Sequence, residues 1–157
     1  MYEHITKEYI KTHKFVNDGL HFEKTKINAD FRFAPGTVLP KNSAEKTIEL
    51  RKKLVDIIVV RFDNNLQKVE ADTGVNKSSI YKFFNGSRKQ ISRDTLAKIC
   101  VGLKLQLEES QELFVLQGYA LDPEHNLLDA IVVNCLECKE EISTFMDMCL
   151  ENGLEIF

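Results

Sequence analysis

The tightest constraint in this 157-residue chain is a spacing: two short helical patterns, Leu66 to Thr73 and Lys77 to Phe84, are separated by only three residues. Gly74 supplies the left-handed residue that a sharp stop after Thr73 needs, and Asn76 can cap the helix that follows. Ile80 and Phe83, at i and i+3, share one face, and Val69, Val75 and Leu96 can bury the junction with them. Lys77, Ser78, Tyr81 and Lys82 are left on the outward side. Helices joined this tightly must cross steeply, and the second presents short and cationic donors from a rigid base.

The flanking sequence extends the helical pattern in both directions. Asn42 and Glu45 have capping-box spacing, and Ile48, Leu50, Leu54, Val55, Ile57, Ile58 and Val59 then predict a long helix ending near Asp63. Asn64 or Asn65 can cap the helix at Leu66, and Asn85-Gly86 closes the one ending at Phe84. After the basic loop Ser87 to Gln90, Ser92 can cap a helix with Leu96, Ile99, Cys100 and Leu103 as its apolar stripe, and another runs to Gly118. Asp122-Pro123 predicts the cap and first-turn proline of a helix bearing Leu127, Leu128, Ile131, Val132 and Cys135, and a last segment carries Ile142, Phe145, Met146, Cys149 and Leu150. Upstream, the first sixteen residues suggest a short helix. Leu20 to Phe33 partly alternates after the Asn17-Asp18-Gly19 turn signal, which predicts a small β-hairpin, and residues 34–42 read as a linker around Pro35-Gly36 and Pro40. The chain is thus expected to be mainly α, with an N-terminal appendage and linker (1–43), a helical domain (44–118) and a C-terminal helical extension (119–157).

A hydrophobic fraction of 43% is enough for a real core. No apolar run approaches the roughly 18 to 20 residues that span a bilayer, and Met1-Tyr2-Glu3-His4 lacks the basic flank of a signal peptide, so a cytoplasmic chain without a membrane partner is expected. Cys100, Cys135, Cys138 and Cys149 sit inside apolar helical patterns and read as reduced thiols. The net charge of −3 hides an uneven distribution: residues 1–43 carry +2, residues 44–103 carry +5 and residues 104–157 carry −10. A basic middle before an acidic tail suits a polyanion-binding module joined to one that makes no such contact, and a solvated acidic helix face is also compatible with the tail.

Thr73-Gly74-Val75-Asn76-Lys77-Ser78-Ser79-Ile80-Tyr81-Lys82-Phe83-Phe84-Asn85-Gly86 resembles the T-G-V-S-x-S-x-I-x-x-I-x-x-G run of XRE-type (Cro/repressor) regulators. Asp94 to Cys100, followed by Leu103, Leu105 and Leu107-Glu108-Glu109, is similar to the family's fourth and fifth helices, so the resemblance spans about residues 50 to 117. It implies a five-helix, lambda-repressor-like helix-turn-helix domain that reads the major groove of double-stranded DNA with helix 77–84, in a sequence-specific transcriptional regulator, with repression the expected effect. It further implies that Lys77, Ser78 and Lys82 face bases, with Asn76, Ser79, Ser87 and Arg88 nearer phosphates. Lys89 belongs to the same basic loop. Tyr81 has two readings, contact with a sugar or thymine methyl, and an amphipathic ring half-buried between helices. Three positions depart from the family pattern: Glu70 stands where a small alanine is common, Lys104 where glycine is, and Leu66 where a polar residue often is. A glutamate at 70 predicts looser packing of the second helix. The stretch Gly118 to Pro123 and the helices after it resemble tails of short Gram-positive helix-turn-helix proteins, which implies a tail that pairs subunits into a homodimer.

No enzyme, cofactor or metal site is expected. Cys135-x-x-Cys138 with Cys149 and His125 offers zinc-ligand types, but the pair is read as lying on one apolar helical face and four-ligand spacing is missing. Reactive thiols want cationic neighbours, and this stretch is acidic. The four histidines are scattered, and no nucleophile elbow, Walker loop or H-E-x-x-H motif occurs. A rival reading follows from the appended start and acidic tail: a phage or plasmid interaction protein, such as a nuclease inhibitor, that binds a protein partner through either end and regulates itself through the helix-turn-helix.

Overall fold

Eight α-helices and no strand occur among the residues described by the computed structural model, namely 2, 4–15 and 39–156. The hairpin expected over Leu20 to Phe33 lies outside them. Helix α1 (Lys7–Thr12) begins where Thr6 accepts a hydrogen bond from the Tyr9 N–H at 3.0 Å. Helix α2 (Leu39–Phe62) starts earlier than the sequence suggests, so Asn42 is inside the helix rather than its cap, and residues 39–42 are not linker. Proline is tolerated in a first turn, whose N–H groups have no intrahelical acceptor, so Pro40 does not delay the start. Leu50, Leu54, Ile57 and Ile58 form the buried face of α2, whereas Ile48 and Val59, also assigned to that stripe, are 48% and 44% exposed.

Four shorter helices follow: α3 (Leu66–Thr73), α4 (Lys77–Phe84), α5 (Arg93–Gly102) and α6 (Leu107–Gln117). The capping residues act as the sequence predicts. Asn65 accepts from Lys68 N–H at 3.1 Å, Asn76 from Ser78 N–H at 2.7 Å and Ser92 from Thr95 N–H at 3.1 Å. Helix α2 packs against α6, and α3 packs against α5. At that second contact Gly102 removes the side chain that would otherwise hold the helices apart: a β-carbon there would stand 2.5 Å from the Asp72 carbonyl oxygen. The second helix is therefore closely packed, with Val69 and Thr73 fully buried, and the looser fit expected from Glu70 is not what forms.

Helices α7 (Leu127–Cys138) and α8 (Ile142–Glu151) complete the fold. Asp122-Pro123 does not start α7. It forms a turn in which the Asp122 carbonyl accepts from Asn126 N–H at 2.9 Å, the Asp122 carboxylate turns to His125 Nδ1 at 3.0 Å, and Asn126 caps the helix through Asp129 N–H at 2.9 Å. Helix α7 is buried along most of its length and touches α1, α5, α6 and α8, so apolar residues of the tail join those of α2 to α6 in one hydrophobic core. The N-terminal segment is anchored there too. Ile5 and Ile10 are buried, the Asn134 amide donates to the Ile5 carbonyl at 3.0 Å, and Lys7 pairs with Glu140 at 3.0 Å.

Candidate nucleic-acid interface

An eight-residue helix has little stability of its own, and α4 owes its place to what is attached to it. Gly74, at φ 74°, ends α3 by donating its N–H to the Glu70 carbonyl at 2.8 Å. The Thr73 hydroxyl, itself donating to the Val69 carbonyl at 2.7 Å, accepts from Val75 N–H at 3.1 Å and fixes the turn. On the inner side, Val75, Ile80 and Phe83 are buried. Both ends of α4 are held by neighbouring helices. The Glu70 carboxylate of α3 accepts the Lys77 N–H at 2.9 Å, and Arg51 of α2 donates its Nε–H to the Phe83 carbonyl at 2.8 Å with its guanidinium 5.4 Å from the Phe83 ring centre. Each charge matches the partial charge of the helix end it meets.

Neither anchor was visible as such in the sequence. Glu70 stood out only as a departure from a small residue, and nothing around Arg51 marks it as a partner of a residue in another helix.

On the outer side, Asn76, Lys77, Ser78, Tyr81 and Lys82 are exposed and Ser79 is half-buried. Tyr81 is 58% exposed, which places its ring in solvent rather than between helices. The loop that follows folds back onto the last turn of α4: Arg88 N–H donates to the Lys82 carbonyl at 2.9 Å, Ser87 N–H donates to the Asn85 side chain at 2.8 Å, and Gly86 adopts φ 85°. Ser87, Arg88 and Lys89 are exposed on it. All nine residues singled out in the sequence thus belong to α4, its cap and the loop pinned to its end.

Among basic residues elsewhere, Lys11, Lys14, Lys46, Lys52, Lys98 and Lys139 show no ion pair among the described residues, and six others meet a carboxylate. Lys53 pairs with Glu112 at 3.5 Å, Lys68 with Asp72 at 3.2 Å, Arg93 with Asp129 at 2.9 Å and Lys104 with Glu141 at 2.7 Å, while Arg61 forms a two-pronged pair with Glu109. Hydrogen bonding to these carboxylates raises the Arg61 and, through Glu140, the Lys7 pKa. Lys77, Lys82, Arg88 and Lys89 form no ion pair among the described residues. Part of the tail's acidic excess is therefore spent on cations elsewhere, and the cations of α4 and its loop meet no carboxylate among the described residues.

Lys104 takes up the left-handed conformation, φ 55°, at the position where the resemblance expects glycine, and its ammonium reaches Glu141 of the tail. The cysteines separate instead of sharing one face: Cys135 is buried and Cys138 exposed. Burial pushes the thiols of Cys100, Cys135 and Cys149 up to about 12. No group of three or more metal-ligating side chains occurs among the described residues, and no helix among them is long and apolar enough to cross a membrane.

No curated protein and no solved structure matches the chain. A family model for the Cro/C1-type HTH DNA-binding domain matches residues 63–113, the span that holds α3, α4, α5 and the first part of α6. Residues 63–113 are a helix-turn-helix DNA-binding domain of the Cro/C1, or XRE, type.

Proposed function

We propose that the chain is a sequence-specific transcriptional regulator, a repressor that acts by occupying an operator as a homodimer and not by catalysis. The observation that carries this reading is the cluster of Lys77, Lys82, Arg88 and Lys89, exposed on and beside α4 without an ion pair among the described residues, inside the span that matches the Cro/C1-type domain. In this reading α4 enters the major groove, about 12 Å wide, where Lys77, Ser78 and Lys82 meet base edges. Asn76, Ser79, Ser87, Arg88 and Lys89 hold phosphates and set the register, and Tyr81 lies against a sugar or a thymine methyl.

The test is fluorescence anisotropy on duplexes tiled across the gene's own upstream region, over a range of salt. Each phosphate contact adds about 0.9 to the slope of log affinity against log salt. A variant with Lys77, Lys82, Arg88 and Lys89 all replaced by alanine should bind the operator more weakly through the loss of Lys77 and Lys82 at base edges, and should lower that slope by about 2 through the loss of Arg88 and Lys89 at phosphates. Binding and slope unchanged in the variant reject the assignment.

In this reading α8 and the segment after it form the homodimer contact. Leu150 is 73% exposed there, beside a groove of about 380 Å³ that also involves Met146, Leu154 and Ile156. Light scattering should give a dimer that Leu150→Glu converts to monomer, with loss of affinity for a two-half-site operator. Asp147, Glu151 and Glu155 surround the same ridge and favour a second reading, a docking surface for a basic protein partner. A monomeric parent protein whose DNA binding ignores Leu150→Glu would favour that reading over the dimer.

A further inference from the structure

A cleft of about 220 Å³ lies directly beneath α4, between it, α2 and the start of α5. Its walls are apolar, formed by Leu54, Ile58, Phe83 and Ile91 among others. Polar atoms sit among them: Ser79, Arg88 and Gln90 line it, and none of these side chains has a hydrogen-bond or ion-pair partner among the described residues. By contrast, Ser92 and Thr95, which also line it, bond to one another at 2.9 Å. The volume is below the roughly 300–1,000 Å³ of drug-sized pockets, so an occupant would be on the scale of a short acyl chain or one amino-acid side chain.

We propose that this cleft is a binding site for a small apolar carboxylate, whose body fills the space between α2 and α4 and whose anionic head is held by Arg88. Charge complementarity selects the ligand class. A guanidinium is always charged and presents a planar fork that fits a carboxylate, and Arg88 stands exposed at the rim of the apolar space. Gln90 and Ser79 offer further donors to the same head. The regulatory consequence rests on the DNA-binding reading above: a ligand whose head engages Arg88 withdraws that side chain from phosphate. Ligand and DNA then oppose each other, each weakening the other's affinity by the same factor.

The experiment uses octanoate as the probe and octan-1-ol as its uncharged counterpart, titrated into the full chain without DNA and followed by NMR of the isoleucine and leucine methyls. Octanoate should shift the Ile58, Leu54 and Ile91 methyls saturably, octanol should bind about fivefold more weakly, and Arg88→Gln should remove that difference. Ile91→Trp, which fills the cleft from a position outside the residues proposed to face DNA, should abolish the octanoate shifts while leaving the melting temperature and operator binding unchanged. In the second arm, saturating octanoate should weaken operator binding by the parent chain but not by Ile91→Trp. Equal binding of octanol and octanoate, or shifts insensitive to Ile91→Trp, overturns the site. Absence of shifts at millimolar octanoate also overturns it, and would mean that the cleft is closed or filled by another part of the chain or a second copy. Saturable octanoate binding in a chain that binds no duplex would overturn the DNA-binding reading and leave the carboxylate site standing.

Discussion

The carboxylate of Glu70, in α3, accepts the backbone N–H of Lys77, the first residue of α4, at 2.9 Å. Helix α4 has no acidic residue in its own first turn, and the side chain of its cap Asn76 takes only the Ser78 N–H. Glu70 therefore supplies both a second acceptor and the negative charge that a helix N-terminus favours. With Arg51 on the Phe83 carbonyl at the far end, α4 is fixed at both ends by side chains from other helices. Its orientation is set by the packing of α2 and α3 rather than by its own eight residues.

Replacing Glu70 by alanine should cost about 1 kcal/mol, the value of a lost cap, and lower the melting temperature by about 2–4 °C in a chain of this size. Hydrogen exchange at the Lys77 amide should accelerate more than at Ile80, which keeps its bond to the Asn76 carbonyl. Glu70→Gln retains an acceptor without the charge and should lie between. An unchanged Lys77 exchange rate in the alanine variant would mean that the carboxylate does not hold the helix.

What was legible in the sequence was local. Asn65, Asn76 and Ser92 cap helices through atoms two or three residues away, and Gly74 and Gly86 adopt positive φ within the turn they end, so each signal is complete in a short window. Glu70 to Lys77 and Arg51 to Phe83 span seven and 32 residues and depend on how helices cross, which no window contains. The start of α7 was misplaced because Asp122 and Asn126 are both capping residues near a proline. Asp122 is occupied by His125, and only Asn126 is aimed at the helix. The outward side of α4 was readable for a similar reason: with Ile80 and Phe83 facing inward, the helical period dictates what remains outside.

Arg93 and Asp129 join α5 to α7, and their removal should be far more costly than that of a surface pair. Asp129 is fully buried, accepts from Arg93 at 2.9 and 3.2 Å and from Asp122 N–H at 2.9 Å, while the guanidinium lies 3.9 Å from the Tyr119 ring centre and donates to the Tyr119 and Ala120 carbonyls. Asp129→Ala leaves that guanidinium without its counter-charge and should destabilise by about 3–5 kcal/mol in urea unfolding. The double variant Arg93→Met, Asp129→Leu should lose clearly less, because no unpaired charge stays inside. A single-variant loss below about 1 kcal/mol would put the pair in the class of solvated surface bridges.

The thiols set an alkaline limit. Cys100, Cys135 and Cys149 are held at about 12 against an ordinary 9.0, chiefly by burial, so above pH 9 the unfolded chain releases protons that the folded one keeps. Their contribution is complete below pH 9 and is lost as pH rises toward 12, which should appear as a melting temperature that falls through that window. Replacing Cys135 and Cys149 by alanine should flatten the fall. At pH 8 a thiol reagent should modify Cys138 alone in the folded protein and all four cysteines in denaturant, and rapid native modification of a second thiol would contradict the burial.

Gly102 closes α5 against α3, and Gly102→Ala should reverse the usual sign of such a change. In an open helix alanine is favoured over glycine by about 1 kcal/mol. Here the added β-carbon would stand 2.5 Å from the Asp72 carbonyl oxygen and 2.6 Å from the Thr73 Cα, both backbone atoms, so no side-chain rotation relieves the contact. Overpacking of this kind costs about 1–3 kcal/mol, which cancels or exceeds the propensity gain. Relief requires α3 to move away from α5, and the residues displaced are those that set the turn into α4: Thr73, whose hydroxyl accepts from Val75 N–H, and Gly74 beyond it. Gly102→Ala should therefore weaken operator binding although residue 102 is outside the residues proposed to face DNA, and should do so at temperatures where the protein is still fully folded by circular dichroism. A variant as stable as the parent, with unaltered operator affinity, would show that the packing of α3 against α5 does not govern how α4 is presented.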